Sequence, residues 1–93
     1  MSKPYMISYD LNDPGQKYED VKKTIEDFSI CARRVQKPFW LVRSEFTPEE
    51  MVRKLEKNAD LNDTILIFEI KNHYFGQAFK EDWNFIQNSL FPD

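Results

Sequence analysis

Apolar residues in this chain repeat with a period that switches between two and about 3.6 residues, which limits the possible folds more than any other feature. Tyr5, Ile7 and Tyr9 alternate along residues 5–10, which predicts a strand with one buried face. The apolar residues that follow recur at spacings of three and four, which predicts an amphipathic helix. They are Tyr18, Val21, Ile25 and Phe28. Residues 13–16, Asp-Pro-Gly-Gln, resemble a capped helix start with proline at the first helical position, so this helix is predicted to begin there.

The middle of the chain repeats this order of strand and helix. Residues 33–44 are rich in β-branched and aromatic residues and predict a second strand. Pro38 lies inside it and cannot donate a backbone hydrogen bond, so it marks an edge, a bulge or a break. Residues 47–50, Thr-Pro-Glu-Glu, form a capping box that predicts the start of a second helix. The predicted buried stripe of this helix comprises Met51, Val52, Leu55 and Ala59.

The last third of the chain predicts two further strands and a short helix. Residues 65–70 form a short apolar run bounded by polar turns, which predicts a well-buried third strand. After a tight reversal at residues 71–73, residues 74–79 predict a fourth strand. Trp83, Ile86 and Leu90 then recur at helical spacing.

The predicted order is strand, helix, strand, helix, strand, strand, helix, which indicates an α/β (α+β) two-layer sandwich in one domain, residues 1–93. If the fourth strand pairs as in the split βαβ arrangement, the fold is ferredoxin-like. It then has a four-stranded sheet with two helices on one face and a short C-terminal helix. That fold carries many unrelated activities, so function must be argued from the site.

Composition excludes several classes of protein. One Cys and one His exclude a disulfide scaffold and a Cys/His zinc site. Eight Phe, four Tyr and two Trp side chains argue against disorder. No apolar run reaches the roughly 18 residues that a membrane span needs, and the first residues lack the apolar core of a secretory signal, so we expect no membrane association and a cytoplasmic location. A chain of 93 residues buries a modest core, so a homodimer is expected.

Asp10 is the main candidate for chemistry, because it ends the first strand where the chain turns into a helix. Asp10, with Asn12 or Asp13 nearby, provides the oxygen ligands that Mg²⁺ prefers. A two-fold axis nearby would double this ligand set. In the alternative interpretation, Asp10 merely ends the strand and Asp13 caps the helix.

The densest basic stretch lies in residues 33–43, with Phe39 and Trp40 between its charges. Its cations are Arg33, Arg34, Lys37 and Arg43. Cations beside aromatic rings can hold a phosphate backbone and stack on bases, which predicts a nucleic-acid-binding surface. Because the net charge is −3, such binding must come from a local patch. The alternative is a solvated strand edge whose charge discourages aggregation.

Other reactive residues predict structural roles. Cys31 is expected to be a buried small hydrophobe, and His73 lies in a predicted turn. The sequence contains no Gly-rich phosphate loop, nucleophile elbow or paired-His metal motif. Nucleotide hydrolysis and serine or cysteine catalysis therefore have no support in the sequence.

Several segments, in their order and spacing, resemble the CRISPR-associated Cas-two family of small dimeric ferredoxin-like proteins. They are Tyr9-Asp10-Leu11, the helix from Pro14, residues 33–40, residues 46–50 and residues 63–70. The chain is also similar, more distantly, to the virulence-associated protein D toxins. The resemblance implies a Mg²⁺-dependent endonuclease, such as an endoribonuclease, or a structural subunit that clamps DNA in an adaptation complex.

The resemblance also assigns roles to particular residues. Asp10 matches the family's acid at the end of the first strand, so one Asp10 from each chain of a dimer would hold Mg²⁺. Arg33, Arg34 and Lys37 match its basic second-strand region. Pro38, Leu41 and the tail after Ile70 depart from the family pattern, which indicates a diverged, stand-alone homologue. Two functions follow: a dimeric nuclease with Asp10 as catalytic metal ligand, and a non-catalytic module that binds RNA, DNA or a protein partner.

Overall fold

A computed structural model describes residues 1–10, 18–57 and 63–92 of the protein. It contains, in chain order, β1 (Lys3–Asp10), α1 (Tyr18–Phe28), β2 (Cys31–Gln36), β3 (Phe39–Ser44), α2 (Pro48–Glu56), β4 (Thr64–Glu69), α3 (Lys80–Phe85) and a π-helical turn (Ile86–Leu90). The predicted helix start at residues 13–16 and the predicted buried Ala59 lie outside the described residues. None of the helices in the described part of the chain has the length and apolar character needed to cross a membrane.

The four strands form one antiparallel sheet in the order β2-β3-β1-β4. Because β1 and β2 both run antiparallel to β3, which lies between them, they run parallel to each other and are joined through α1. This is the split βαβ arrangement, so the predicted ferredoxin-like two-layer sandwich is confirmed.

One face of the sheet packs against α1 and α2. Alternate residues of β1 point into this core, as the period of two predicts. The buried apolar residues of this layer are Tyr5, Ile7, Tyr9, Val21, Ile25, Phe28, Trp40, Val42, Met51 and Leu55. The predicted stripe of α1 is therefore confirmed, with Tyr18 partly buried at its start, and Met51 and Leu55 confirm that of α2, whereas Val52 is half-buried and lies outside this core. The Ser44 hydroxyl is also buried, and it donates to the Phe28 carbonyl at 2.7 Å.

The prediction of one strand over residues 33–44 is wrong. The segment forms two strands, β2 and β3, which pair as a hairpin around a turn at Lys37 and Pro38. A bulge between Arg34 and Gln36 precedes the turn. Proline lacks the amide hydrogen that a continuous ladder of strand hydrogen bonds needs, so Pro38 lies where the chain reverses.

The prediction of a fourth strand at residues 74–79 is also wrong, because these residues have no regular secondary structure. The hairpin supplies the fourth strand of the sheet instead. Residues 74–79 lack strict alternation, and Gly76 interrupts their apolar residues. All residues from 71 to 80 are exposed to solvent.

The third predicted strand is present as β4, but it is not well buried. Leu66 is 50% exposed and Phe68 53% exposed. β4 lies at the edge of the sheet, and these two residues point away from the face that packs against α1 and α2. An apolar run by itself does not distinguish a central strand from an edge strand.

The predicted C-terminal helix is confirmed as α3 and the π-helical turn, which lie against the opposite face of the sheet. Leu90 is buried there, and Arg43 Nη1 donates to the Leu90 carbonyl at 2.6 Å. Tyr74 stacks on Trp83 and on Phe91, with ring centroids 6.0 and 5.7 Å apart. The tail therefore covers the outer face of β2 and β3 but leaves β4 open.

Candidate nucleic-acid interface

Asp10 lies at the carboxyl end of β1, where its side chain is exposed. The preceding amide, Tyr9 N, donates a hydrogen bond to the Pro38 carbonyl at 2.8 Å. This bond fixes the turn between β2 and β3 beside the end of β1. The structure therefore brings Asp10 and Lys37 to the same end of the sheet, while the second predicted metal ligand, Asn12, lies outside the described residues.

Two of the predicted basic residues are exposed and contact aromatic rings. Lys37 Nζ lies 4.7 Å from the centroid of the Tyr18 ring. The Arg34 guanidinium carbon lies 5.7 Å from the centroid of the Trp40 ring. These cation–π contacts restrict the two side chains while leaving them accessible to an anion.

The other two basic residues make internal contacts. Arg33 Nε donates to Asp82 Oδ1 at 2.6 Å, and Asp82 is only 3% exposed. Arg43 lies toward the opposite end of the sheet from Asp10. Besides its bond to Leu90, it donates from Nη2 to the Ser2 carbonyl at 2.8 Å and from Nε to Ser2 Oγ at 3.1 Å. The four predicted cations thus divide into an accessible pair and a pair that holds the termini.

Asp10 has the donor chemistry that Mg²⁺ requires, since its carboxylate oxygens are hard ligands and are open to solvent. Within residues 1–10, 18–57 and 63–92, no group of three or more His, Cys, Asp or Glu side chains is placed to hold a metal ion. Further ligands for an ion at Asp10 would therefore come from the neighbouring residues Asn12 and Asp13 or from a second copy of the chain.

Cys31 is half-buried rather than fully buried as predicted, and His73 is exposed. Burial raises the pKa of the Cys31 thiol, although Arg43 acts in the opposite direction. The neutral thiol donates a weak hydrogen bond to the Ser89 carbonyl at 3.8 Å. His73 lies in a tight turn, where its amide donates to the Lys71 carbonyl at 2.7 Å. Neither residue is arranged as a nucleophile and base pair.

The structure also reveals a surface that the sequence reasoning missed. Residues 71–80, which we term the connector, run from β4 to the first residue of α3. Together with α3 and the outer face of the sheet, the connector encloses a cleft of about 450 Å³. Its floor includes Met6 and Leu41, and Trp83 contributes to its wall. The signal in the sequence was a group of aromatic residues between Lys71 and Lys80, which the strand prediction for residues 74–79 obscured.

No protein-family model matches the chain, and no curated protein matches it. The resemblance to the Cas-two family therefore rests on the sequence segments alone and stays a prediction.

Proposed function

We propose that the protein is a diverged Cas-two-like protein that binds nucleic acid as a homodimer in the cytoplasm. The observation that carries this proposal is the hydrogen bond from Tyr9 N to the Pro38 carbonyl, since it places the accessible Lys37 at the end of the sheet that bears Asp10. A carboxylate and a cation at one exposed end of the sheet suit a phosphodiester. Binding of a phosphodiester needs charge neutralisation, and its cleavage needs a metal ligand.

Each side chain has a separate task in this proposal. Lys37 and Arg34 contact phosphate oxygens, and the rings beneath them limit the entropy lost on binding. Asp10, with Asn12, would hold Mg²⁺, and one Asp10 from each chain would serve a shared site. When bound, Mg²⁺ supplies charge stabilisation and an activated water. Arg33 and Arg43 hold the tail and the amino terminus in place rather than contacting the ligand.

A second candidate is a binding module without catalysis, which engages nucleic acid or a protein partner. The observation that favours it is the division of the basic residues, because two of the four predicted cations are engaged internally. Asp10 then contributes only to the shape and charge of this end of the sheet. The two candidates differ in the role of Asp10, and this difference can be measured.

The test compares binding of short RNA and DNA by wild-type protein and by Arg34→Glu/Lys37→Glu, using fluorescence anisotropy. We expect the double variant to weaken binding at least about 10-fold and to lower the salt dependence by about one for each lost phosphate contact. The matched control is Lys23→Glu/Arg53→Glu, which reverses two exposed charges on α1 and α2. Equal loss of binding in both double variants would count against a localised site.

Cleavage is then measured with Mg²⁺ in wild-type protein and Asp10→Ala. Loss of cleavage with retained binding in Asp10→Ala supports the nuclease. Binding without cleavage by the wild type supports the non-catalytic module. Equal cleavage by both proteins would remove Asp10 from the mechanism.

A further inference from the structure

The connector exposes several aromatic side chains to solvent. Phe75 is 103% exposed and Phe79 is 79% exposed, and Tyr74 is partly exposed beside them. A fully exposed Phe side chain keeps its apolar area in contact with water, so it contributes no hydrophobic free energy to folding. Exposed apolar rings that are grouped on one short segment indicate an interaction surface.

The charge of the connector indicates what kind of ligand it takes. Lys71 and Lys80 lie at its two ends, and no acidic residue occurs between Glu69 and Glu81. The segment is therefore locally basic in a chain whose net charge is −3. Cations that flank exposed rings complement a ligand that carries both negative charge and flat aromatic groups.

The connector is anchored beside both of its ends and at Tyr74, which limits the paths that the segment carrying Phe75 and Phe79 can take. Directly before its first residue, Ile70 N donates to the Pro4 carbonyl at 3.1 Å. In the middle, Tyr74 stacks on the rings of Trp83 and Phe91. At its end, the Arg33–Asp82 pair fixes α3 on β2. Binding to a segment held in this way costs less ordering entropy than binding to a free loop.

The connector also adjoins the end of the sheet that carries Lys37 and Asp10. Phe79 and Gln77 line a shallow pocket together with Val35 and Gln36. Gln36 directly precedes Lys37, so a bound chain can pass from the connector to the Asp10 end of the sheet. A ligand that spans both features must be extended and polyanionic.

We propose that the connector binds single-stranded nucleic acid, with bases stacked on Phe75 and Phe79 and phosphates contacting Lys71 and Lys80. This inference rests on the proposed function and names its substrate class. A single strand is required because the bases of a duplex are already stacked on one another and do not present their faces. Stacking tolerates any base, so the expected binding is strong for single strands and weakly dependent on sequence.

The test measures the affinity of full-length protein for a 12-nucleotide single strand and for the corresponding duplex. Phe75→Ala and Phe79→Ala are each expected to weaken single-strand binding roughly 10-fold. Phe75→Trp should retain binding, whereas Phe75→Leu should lose it, because leucine keeps apolar area but has no ring face. Ile30→Ala, which shortens an exposed apolar residue between α1 and β2, is the matched control and should change binding little.

Each alternative occupant gives a different result. If Phe75→Leu binds like the wild type while Phe75→Ala lowers the oligomeric mass, the connector contacts a second copy and the inference is overturned. Binding of phosphatidylserine vesicles that depends on Phe75 would overturn it in favour of a membrane surface. If only Arg34→Glu/Lys37→Glu weakens binding, the inference fails and the proposed function stands. If neither single strand nor duplex binds, both fail.

Discussion

At the scale of single residues, Arg33 and Asp82 show how a charge that suggests ligand binding can serve the fold. Asp82 is almost fully buried, and a buried carboxylate is costly without a partner. Arg33 provides that partner at 2.6 Å and links β2 to α3. The two residues are 49 positions apart, so no local pattern in the sequence could pair them.

Removing this pair should destabilise the protein. We expect Asp82→Ala to lower the free energy of unfolding by about 2 kcal/mol, because it leaves the partly buried Arg33 without its acceptor. Glu81→Ala, which removes an exposed acid from the same turn of α3, should change stability by less than about 0.5 kcal/mol. Urea denaturation measures both. Similar losses in the two variants would mean that the helix, and not the ion pair, determines the effect.

At the scale of elements, α2 shows what local sequence determines well. Thr47 N donates to Glu50 Oε1 at 2.9 Å, and Glu50 N donates to Thr47 Oγ1 at 3.2 Å. The capping box predicted from residues 47–50 is therefore confirmed with both bonds. A helix start is predictable because its residues satisfy one another within one turn.

The capping box also predicts a dependence of stability on pH. The hydrogen bond from the Thr47 backbone lowers the pKa of the Glu50 carboxyl, and nearby basic residues act in the same direction. A carboxylate with a lowered pKa in the folded state contributes stability above its ordinary pKa and loses it as the pH falls. The advantage of wild-type protein over Glu50→Gln should therefore shrink between about pH 5 and pH 3.

Thermal or urea unfolding at several pH values measures this difference. Glu56→Gln removes the same charge near the other end of α2 and serves as the control. Its difference from the wild type should change less over the same pH range. An advantage of wild type over Glu50→Gln that stays constant down to pH 3 would contradict the role given to the capping box.

Strands were harder to predict from the sequence, because their burial and pairing depend on distant residues. Pro38 correctly marked an interruption, yet its amino-acid type alone did not distinguish an edge, a bulge or a turn. The apolar run of β4 indicated a strand but not its position at the edge of the sheet. For the site, the sequence identified the cations, but only the structure showed that Arg33 and Arg43 are engaged with the tail.

At the scale of the whole molecule, the sheet is covered unequally. α1 and α2 cover one face, while the tail covers β2 and β3 on the other face and leaves β4 open. The exposed side of β4 carries Leu66 and Phe68, and one edge of the strand has no partner within the described residues. An exposed apolar edge strand favours pairing with a strand of another chain, because its outer backbone groups have no partner in the sheet. In a small domain, a second copy on β4 would add the buried area that one chain lacks.

This arrangement makes β4 the expected contact between the two copies of the proposed homodimer. Phe68→Lys places a charge in that contact, so we expect sedimentation at micromolar concentration to show a shift from dimer toward monomer. Ile30→Lys introduces the same charge at another exposed apolar residue and should leave the dimer unchanged. If Phe68→Lys remains a dimer, the contact between the two copies lies elsewhere. If the wild type is a monomer, a metal site shared by two Asp10 carboxylates is excluded. Each separate copy then carries only one Asp10 carboxylate, so loss of the dimer should abolish cleavage while leaving single-strand binding to the connector.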